Sequence, residues 1–209
     1  MSWFSKKLAC LDGLCEYYKE LGMNASILPD DSPEAVEKGL FKQDQGYMKV
    51  ADRNFELVTI RIKGRGSSNE SSFGVGGFNV PVSSTQKVPF EYHHIVRTNI
   101  ADEGALKAKL KKRKKGFLSK EIIGVSWEGG RLAETLNSNV ELNESIMKFI
   151  TFEDDIKVEP EKKKKIIRII FSKPSEMKSG LLHGGFKFDR HLLPKDAIDV
   201  VNRIAGLTR

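Results

Sequence analysis

The stretch closest to a catalytic signature is residues 124–128, GVSWE. A Gly-x-Ser-x-Gly pentapeptide at a strand-to-helix turn exposes its serine as a nucleophile in hydrolases, and this stretch lies between a predicted strand and a predicted helix. The fifth position departs from that pattern, because Glu128 places a side chain where strand and helix must pack closely. The pattern therefore favours an ordinary strand, with Ser126 on its polar side and Trp127 as a core anchor on one face with Ile123 and Val125.

Acidic residues and histidines follow Ser126 in the order of a hydrolase triad, but a chain of this composition supplies such a set by chance. The set comprises Asp154 or Asp155, then His183 or His191. We therefore expect no enzyme, with the catalytic residues unknown. The alternative is a small serine hydrolase centred on Ser126, or on a cleft lined by His93, Glu128 and Asp154.

Residues that could ligate a metal are few and scattered. His93 and His94 are adjacent in a predicted strand and so point to opposite faces, and no close ligand spacing surrounds the other histidines. Cys10 and Cys15 lie five positions apart in a predicted helix, which places them poorly for a mutual disulfide. We expect no metal, no cofactor and a reducing cytoplasmic location.

The glycine-rich segment 64–81 lacks the motifs that bind nucleotides. It contains Gly74, Gly76 and Gly77, but Asn79 replaces the third glycine of the dinucleotide fingerprint, and no Gly-Lys-Ser/Thr sequence occurs. Its composition predicts a flexible hairpin connection.

The most distinctive feature is a run of seven basic residues without an acid, which we predict to lie on a helix capped by Asp102. Clustered cations of this kind bind phosphate groups, on nucleic acid or on an anionic membrane surface. Lysines outnumber arginine six to one and no aromatic side chains are interleaved, so sequence readout is not expected. The run consists of Lys107, Lys109, Lys111, Lys112, Arg113, Lys114 and Lys115.

Charge is unevenly distributed along the 209 residues. Residues 1–104 hold 12 basic and 14 acidic residues, whereas residues 105–209 hold 23 and 14. The basic run therefore accounts for the whole net charge of +7. The first hypothesis is a non-enzymatic binding or scaffold module for an anionic partner, and the alternative reading of the run is a solvated face that maintains solubility.

A third possibility is a peripheral membrane protein that combines the basic run with the first predicted helix, which has Trp3 and Phe4 at its start. That helix also has an apolar stripe, which we expect to dock on the sheet or on a second copy of the chain, giving a homo-oligomer.

The periodicity of apolar residues predicts an α+β fold, a mostly antiparallel sheet built from hairpins and covered by N-terminal, central and C-terminal helices. One domain spanning 1–209 is expected, with a possible subdivision near 100–116 into 1–100 and 117–209. The predicted strands are 46–52, 55–63, 88–98, 117–128, 155–159 and 166–172. The predicted helices are 4–22, 33–39, a basic helix after Asp102, two helices following Gly130 and a last helix opened by Pro194.

Overall fold

The computed structural model describes residues 3–29, 31–36, 46–62, 68–75, 78–116, 121–179, 187–188 and 192–209. The helices are α1 (Trp3–Glu20), α2 (Pro33–Val36), α3 (Glu103–Leu106), α4 (Arg131–Ser138), α5 (Val140–Met147) and α6 (Lys195–Leu207). The strands are β1 (Ala25–Leu28), β2 (Tyr47–Val50), β3 (Leu57–Ile62), β4 (Ser68–Val75), β5 (Phe78–Arg97), β6 (Ala108–Lys114), β7 (Ile122–Gly129), β8 (Asp155–Glu161), β9 (Ile166–Ser179) and β10 (Lys187–Phe188).

The strands form one antiparallel sheet in the order β1-β2-β3-β5-β9-β8-β6-β7, with β4 paired to β5 and β10 to β9. Hairpins connect β2 to β3 and β8 to β9, and the lysines at 162–165 form the turn between β8 and β9. The predicted α+β class with a mostly antiparallel sheet is confirmed. None of the described helices is both long and apolar enough to cross a membrane.

Each strand presents alternate residues to the two faces of the sheet. On the inner face, buried side chains of α1, α4, α5 and α6 join those of the strands in the main core, which includes Tyr18, Trp127, Leu136, Ile169 and Ile198. The opposite face is called the outer face here. It carries a second, smaller cluster of buried residues, which comprises Tyr47, Leu57, Ile95 and Ile166.

The basic segment is a strand and not the predicted helix. Asp102 does cap a helix, since its carboxylate accepts a hydrogen bond from the Gly104 amide, but α3 ends after one turn at Leu106. From Ala108 onward the segment pairs with β7 and β8, and its buried residues Ala108 and Leu110 alternate with exposed lysines. Leu106 and Leu110 fit a helical spacing equally well, and pairing on both sides decides in favour of the strand.

The predicted hairpin connection over 64–81 is a hairpin in the part that the structure describes, but its arms are strands and not a loop. Residues 68–75 form β4, and β5 already begins at Phe78, with Phe73 paired to Val80. Glycine is a poor strand former, but β5 supplies a ladder of partners, with one register shift between Ser71 and Ser72, that outweighs this preference.

Strand β7 contains a bulge at Ile123. The prediction that Ile123 shares a buried face with Trp127 is therefore wrong. Arg113 pairs with Gly124 and the next residue, Lys114, pairs with Ile122, so Ile123 has no partner in the ladder. The extra residue shifts the alternation. Ile123 is consequently 45% exposed, while Ile122 packs against the core and Trp127 is buried, as predicted.

Candidate functional site on the outer face

The strand conformation divides the basic run between the two faces of the sheet. Lys109, Lys111 and Arg113 point to the outer face and are exposed, while Lys112 and Lys114 point to the other side. A helix would have scattered the same residues around its axis at 100° intervals. The sheet instead aligns three cations along one strand, with neighbours about 6.7 Å apart.

The two cations on the inner side have structural contacts. Lys112 Nζ donates to the carbonyl of Phe152 at 2.8 Å and also to the carbonyl of Asp154. Burial lowers the pKa of Lys112. Lys114 Nζ lies 3.5 Å from the centre of the Phe152 ring, a cation–π contact. These lysines hold the segment that leads into β8.

The outer-face cations have weak partners or none. Lys109 Nζ is 3.9 Å from Asp155, and Lys111 Nζ is 3.0 Å from Glu128. Pairs this exposed contribute about 0–1 kcal/mol, so an external anion can replace the carboxylate. Arg113 has no ion pair within the part of the chain that the structure describes.

The two ends of the basic run differ from its centre. Lys115 lies after β6, and its Nζ is 3.4 Å from Glu121. Lys107 is exposed between α3 and β6, and its backbone amide donates to the Gly104 carbonyl at 3.3 Å. The compact group of exposed cations therefore consists of Lys109, Lys111 and Arg113 on the outer face of β6.

Small side chains lie across from these cations on the edge strand. Lys111 pairs with Ser126, and Arg113 pairs with Gly124. A β-carbon built on Gly124 would lie 3.2 Å from an Arg113 terminal nitrogen, so the guanidinium lies directly over the glycine. We refer to Lys109, Lys111, Arg113, Gly124 and Ser126 as the cationic face.

The structure places Ser126 within a strand and not at a turn into a helix. Gly129 and Gly130 intervene before α4 begins at Arg131. Trp127, next to Ser126, is anchored at both ends: its Nε1 donates to Asn143 at 3.0 Å, and its backbone exchanges two hydrogen bonds with the Asn137 amide. These contacts fix β7 and leave the Ser126 side chain exposed on the cationic face.

The residues of the alternative hydrolase cleft do not converge. His93, Ile170, Lys157, Lys109 and Glu128 form one row across five strands. Four strand spacings of about 4.8 Å separate His93 from Glu128 by roughly 19 Å, beyond the reach of a hydrogen bond.

The remaining residues proposed for that cleft have other contacts. Asp154 is buried, and its carboxylate accepts a hydrogen bond from the Thr151 amide at 2.8 Å. His183 and His191 lie outside the described residues. No group of three His, Cys, Asp or Glu side chains suited to a metal ion occurs among the residues that the structure covers.

A polar network on the outer face of the central strands was not predicted from the sequence. His93 Nε2 lies 3.2 Å from Glu91, and Lys157 Nζ lies 3.9 Å from the other oxygen of that carboxylate and 2.8 Å from Glu159. Burial lowers the pKa of His93. The sequence feature that could have indicated this network is Arg168, because a charged residue within the apolar run IIRIIF requires a partner when it is buried. Arg168 is buried and pairs with Glu161.

His94 points to the inner face, away from His93. Its Nε2 lies 2.8 Å from the Tyr18 hydroxyl, and its ring contacts Phe55 edge-to-face at 4.8 Å. Complete burial lowers the pKa of His94 to about 3. The side chain is therefore a neutral part of the core.

A cleft of about 390 Å³ lies at one end of the sheet, where α3, α4 and the end of α6 meet. Its charged lining residues are Asp102, Arg131 and Arg209. The described residues that line it include no histidine or cysteine.

Comparison with protein-family models, with curated proteins and with solved structures finds no match.

Proposed function

We propose that the protein is a non-enzymatic binding module whose cationic face contacts the phosphates of a nucleic-acid duplex without reading its sequence. The observation that supports this function is the alignment of Lys109, Lys111 and Arg113, all exposed, on one face of β6. The proposed location is the reducing cytoplasm, which suits the unpaired, buried thiol of Cys15.

The composition of the cationic face favours a nucleic acid over a membrane. Its paired positions on β6 and β7 are occupied by Lys109, Lys111 and Arg113 opposite Glu128, Ser126 and Gly124, and a single exposed apolar residue of β7, Ile123 in the bulge, lies beside them. Stable membrane binding adds inserted apolar side chains to the electrostatic attraction. The face also has no aromatic residue on which an unpaired base would stack, so a duplex is preferred to a single strand.

The expected salt dependence of binding follows from the number of cations on the cationic face. Each phosphate neutralised on B-DNA contributes about −0.9 to the slope of log K against log salt, so three contacts give about −2.7. Raising the salt from about 50 mM to about 200 mM should then weaken binding roughly 40-fold. Such binding is modest and non-specific.

The first test compares a variant of the cationic face with a variant that has the same net charge. Lys109→Ser/Lys111→Ser/Arg113→Ser removes the three outer cations, and Lys148→Ser/Lys163→Ser/Lys195→Ser removes three exposed lysines elsewhere. Fluorescence anisotropy with a short labelled duplex at about 50 mM salt should show binding for the wild type and the second variant only. Equal losses in both variants would attribute binding to net charge and contradict the proposal.

A vesicle assay separates the two classes of partner. At the same salt, phosphatidylserine vesicles should co-sediment no more protein than neutral vesicles do. Strong sedimentation together with absent duplex binding would replace the nucleic-acid proposal with a membrane function.

A further inference from the structure

The position of Arg113 is set by a residue on the neighbouring strand. The terminal nitrogen, Nε and Cζ of Arg113 lie 3.2, 3.4 and 3.6 Å from the β-carbon that Gly124 lacks. Gly124 has ordinary strand geometry, because its backbone is not among the positive-φ glycines. A larger residue is therefore allowed by the backbone and would displace only the flexible end of Arg113. The absence of a side chain at 124 lets the guanidinium lie flat against β7.

Two further donors, Ser126 and Lys111, lie on the same face of the sheet as that guanidinium. Ser126 is two residues along β7 from Gly124 and points to the same face, directly across from Lys111. A diagonal cross-strand neighbour lies about 7 Å away, which leaves room for one tetrahedral anion between Arg113 and Ser126. Lys111 Nζ is paired with the exposed Glu128, which lies across from Lys109, so an anion beside Arg113 would compete with this carboxylate for Lys111.

We propose that Arg113, Ser126 and Lys111 form a phosphate-recognition site within the cationic face, with Gly124 as the positioning residue. This inference rests on the proposed function and identifies the ligand group as a phosphate recognised by shape. The planar guanidinium donates two parallel hydrogen bonds to a phosphate, the Ser126 hydroxyl donates a third, and the Lys111 ammonium supplies charge. The serine of the GVSWE stretch is thus a hydrogen-bond donor to an anion and not a nucleophile.

The test uses substitutions that keep the net charge. Arg113→Lys retains the charge but loses the bidentate geometry, Gly124→Val displaces the guanidinium, and Ser126→Ala removes the hydroxyl. Arg113→Lys and Gly124→Val should each weaken duplex binding roughly tenfold, which corresponds to about 1.4 kcal/mol, because the charge-assisted bidentate contact is lost. Ser126→Ala should weaken binding by a smaller factor, because it removes one neutral donor. The salt slope should remain within about 0.5 of the wild-type value, since no charge is lost.

Arg131→Lys is the matched control, because Arg131 is exposed and lies on α4, away from the cationic face. It should bind the duplex as the wild type does. Inorganic phosphate, compared with chloride at equal ionic strength, should compete with the duplex on the wild type and lose that advantage in Arg113→Lys.

The outcomes separate this inference from the proposed function. Salt-dependent binding of the wild type with no effect of Arg113→Lys, Gly124→Val or the phosphate competitor overturns the recognition site and leaves the proposed function standing. Absence of wild-type binding overturns the proposed function and the site with it. If Gly124→Val fails to fold by circular dichroism, Arg113→Lys and the phosphate competition decide.

Discussion

The two buried histidines predict that stability decreases under mildly acidic conditions. His94 is completely buried beside Tyr18 and Phe55, and its burial lowers the pKa to about 3, against an ordinary value of 6.5. The unfolded chain therefore binds a proton at pH values where the folded chain does not. The contribution of His94 to stability is fully present above pH 6.5 and is lost as the pH falls toward 3.

The magnitude follows from the difference between the two pKa values. A pH of about 5 lies about 1.5 units below the pKa of His94 in the unfolded chain. Protonation of His94 then stabilises the unfolded state relative to the folded state by about 2 kcal/mol. His93 acts in the same direction, because burial lowers its pKa as well. The free energy of unfolding should therefore fall by at least about 2 kcal/mol between about pH 8 and about pH 5.

The assay is urea denaturation at a series of pH values for the wild type and His94→Gln. The variant removes the titrating group, so it should be less stable at pH 8 and show a pH dependence smaller by about 2 kcal/mol over this interval. Identical pH dependences would refute the assignment of His94 as a neutral core residue.

Three further predictions concern β7. Trp127→Ala should reduce the free energy of unfolding by about 3–5 kcal/mol in denaturant titrations, and an unchanged midpoint would contradict its role as a core anchor. Asn137→Leu should lower the free energy of unfolding by about 2 kcal/mol in denaturant titrations, because the Trp127 backbone loses both hydrogen bonds. It should also expose the edge of β7 and so cause self-association, which sedimentation would detect. Glu128→Gln should strengthen duplex binding in anisotropy titrations, since it releases Lys111 from its carboxylate; weaker binding would count against the cationic face.

The parts of the fold that were predictable follow from local periodicity. In the hairpin of β8 and β9, β8 alternates apolar and polar residues, β9 begins with a short apolar run, and a lysine turn connects them, in which Lys165 adopts a left-handed conformation with a φ of 52°. The last helix buries the predicted stripe that includes Ala197, Ile198 and Val201. In each case a local pattern of apolar residues, bounded by turn or helix-start residues, specifies one element.

The basic segment shows where local patterns were insufficient. Leu106 and Leu110 are spaced for a helix, while Ala108 and Leu110 are spaced for a strand, so the sequence supports both. The choice depends on hydrogen bonds to β7 and β8, which are distant in sequence. Long-range pairing of this kind leaves no local signal.

The candidate site was predictable in composition but not in geometry. The run of cations was visible in the sequence, and Ser126 was singled out for a different chemistry. The pairing of Arg113 with Gly124 depends on the bulge at Ile123, and a one-residue shift in register would reverse which side chains share a face.

The salt dependence of duplex binding tests the central claim most directly. The slope of log K against log salt should be about −2.7 for the wild type and for Lys148→Ser/Lys163→Ser/Lys195→Ser, while Lys109→Ser/Lys111→Ser/Arg113→Ser should show no salt-dependent binding. A wild type that does not bind the duplex at about 50 mM salt, or a cationic-face variant that retains the full slope, would contradict the account.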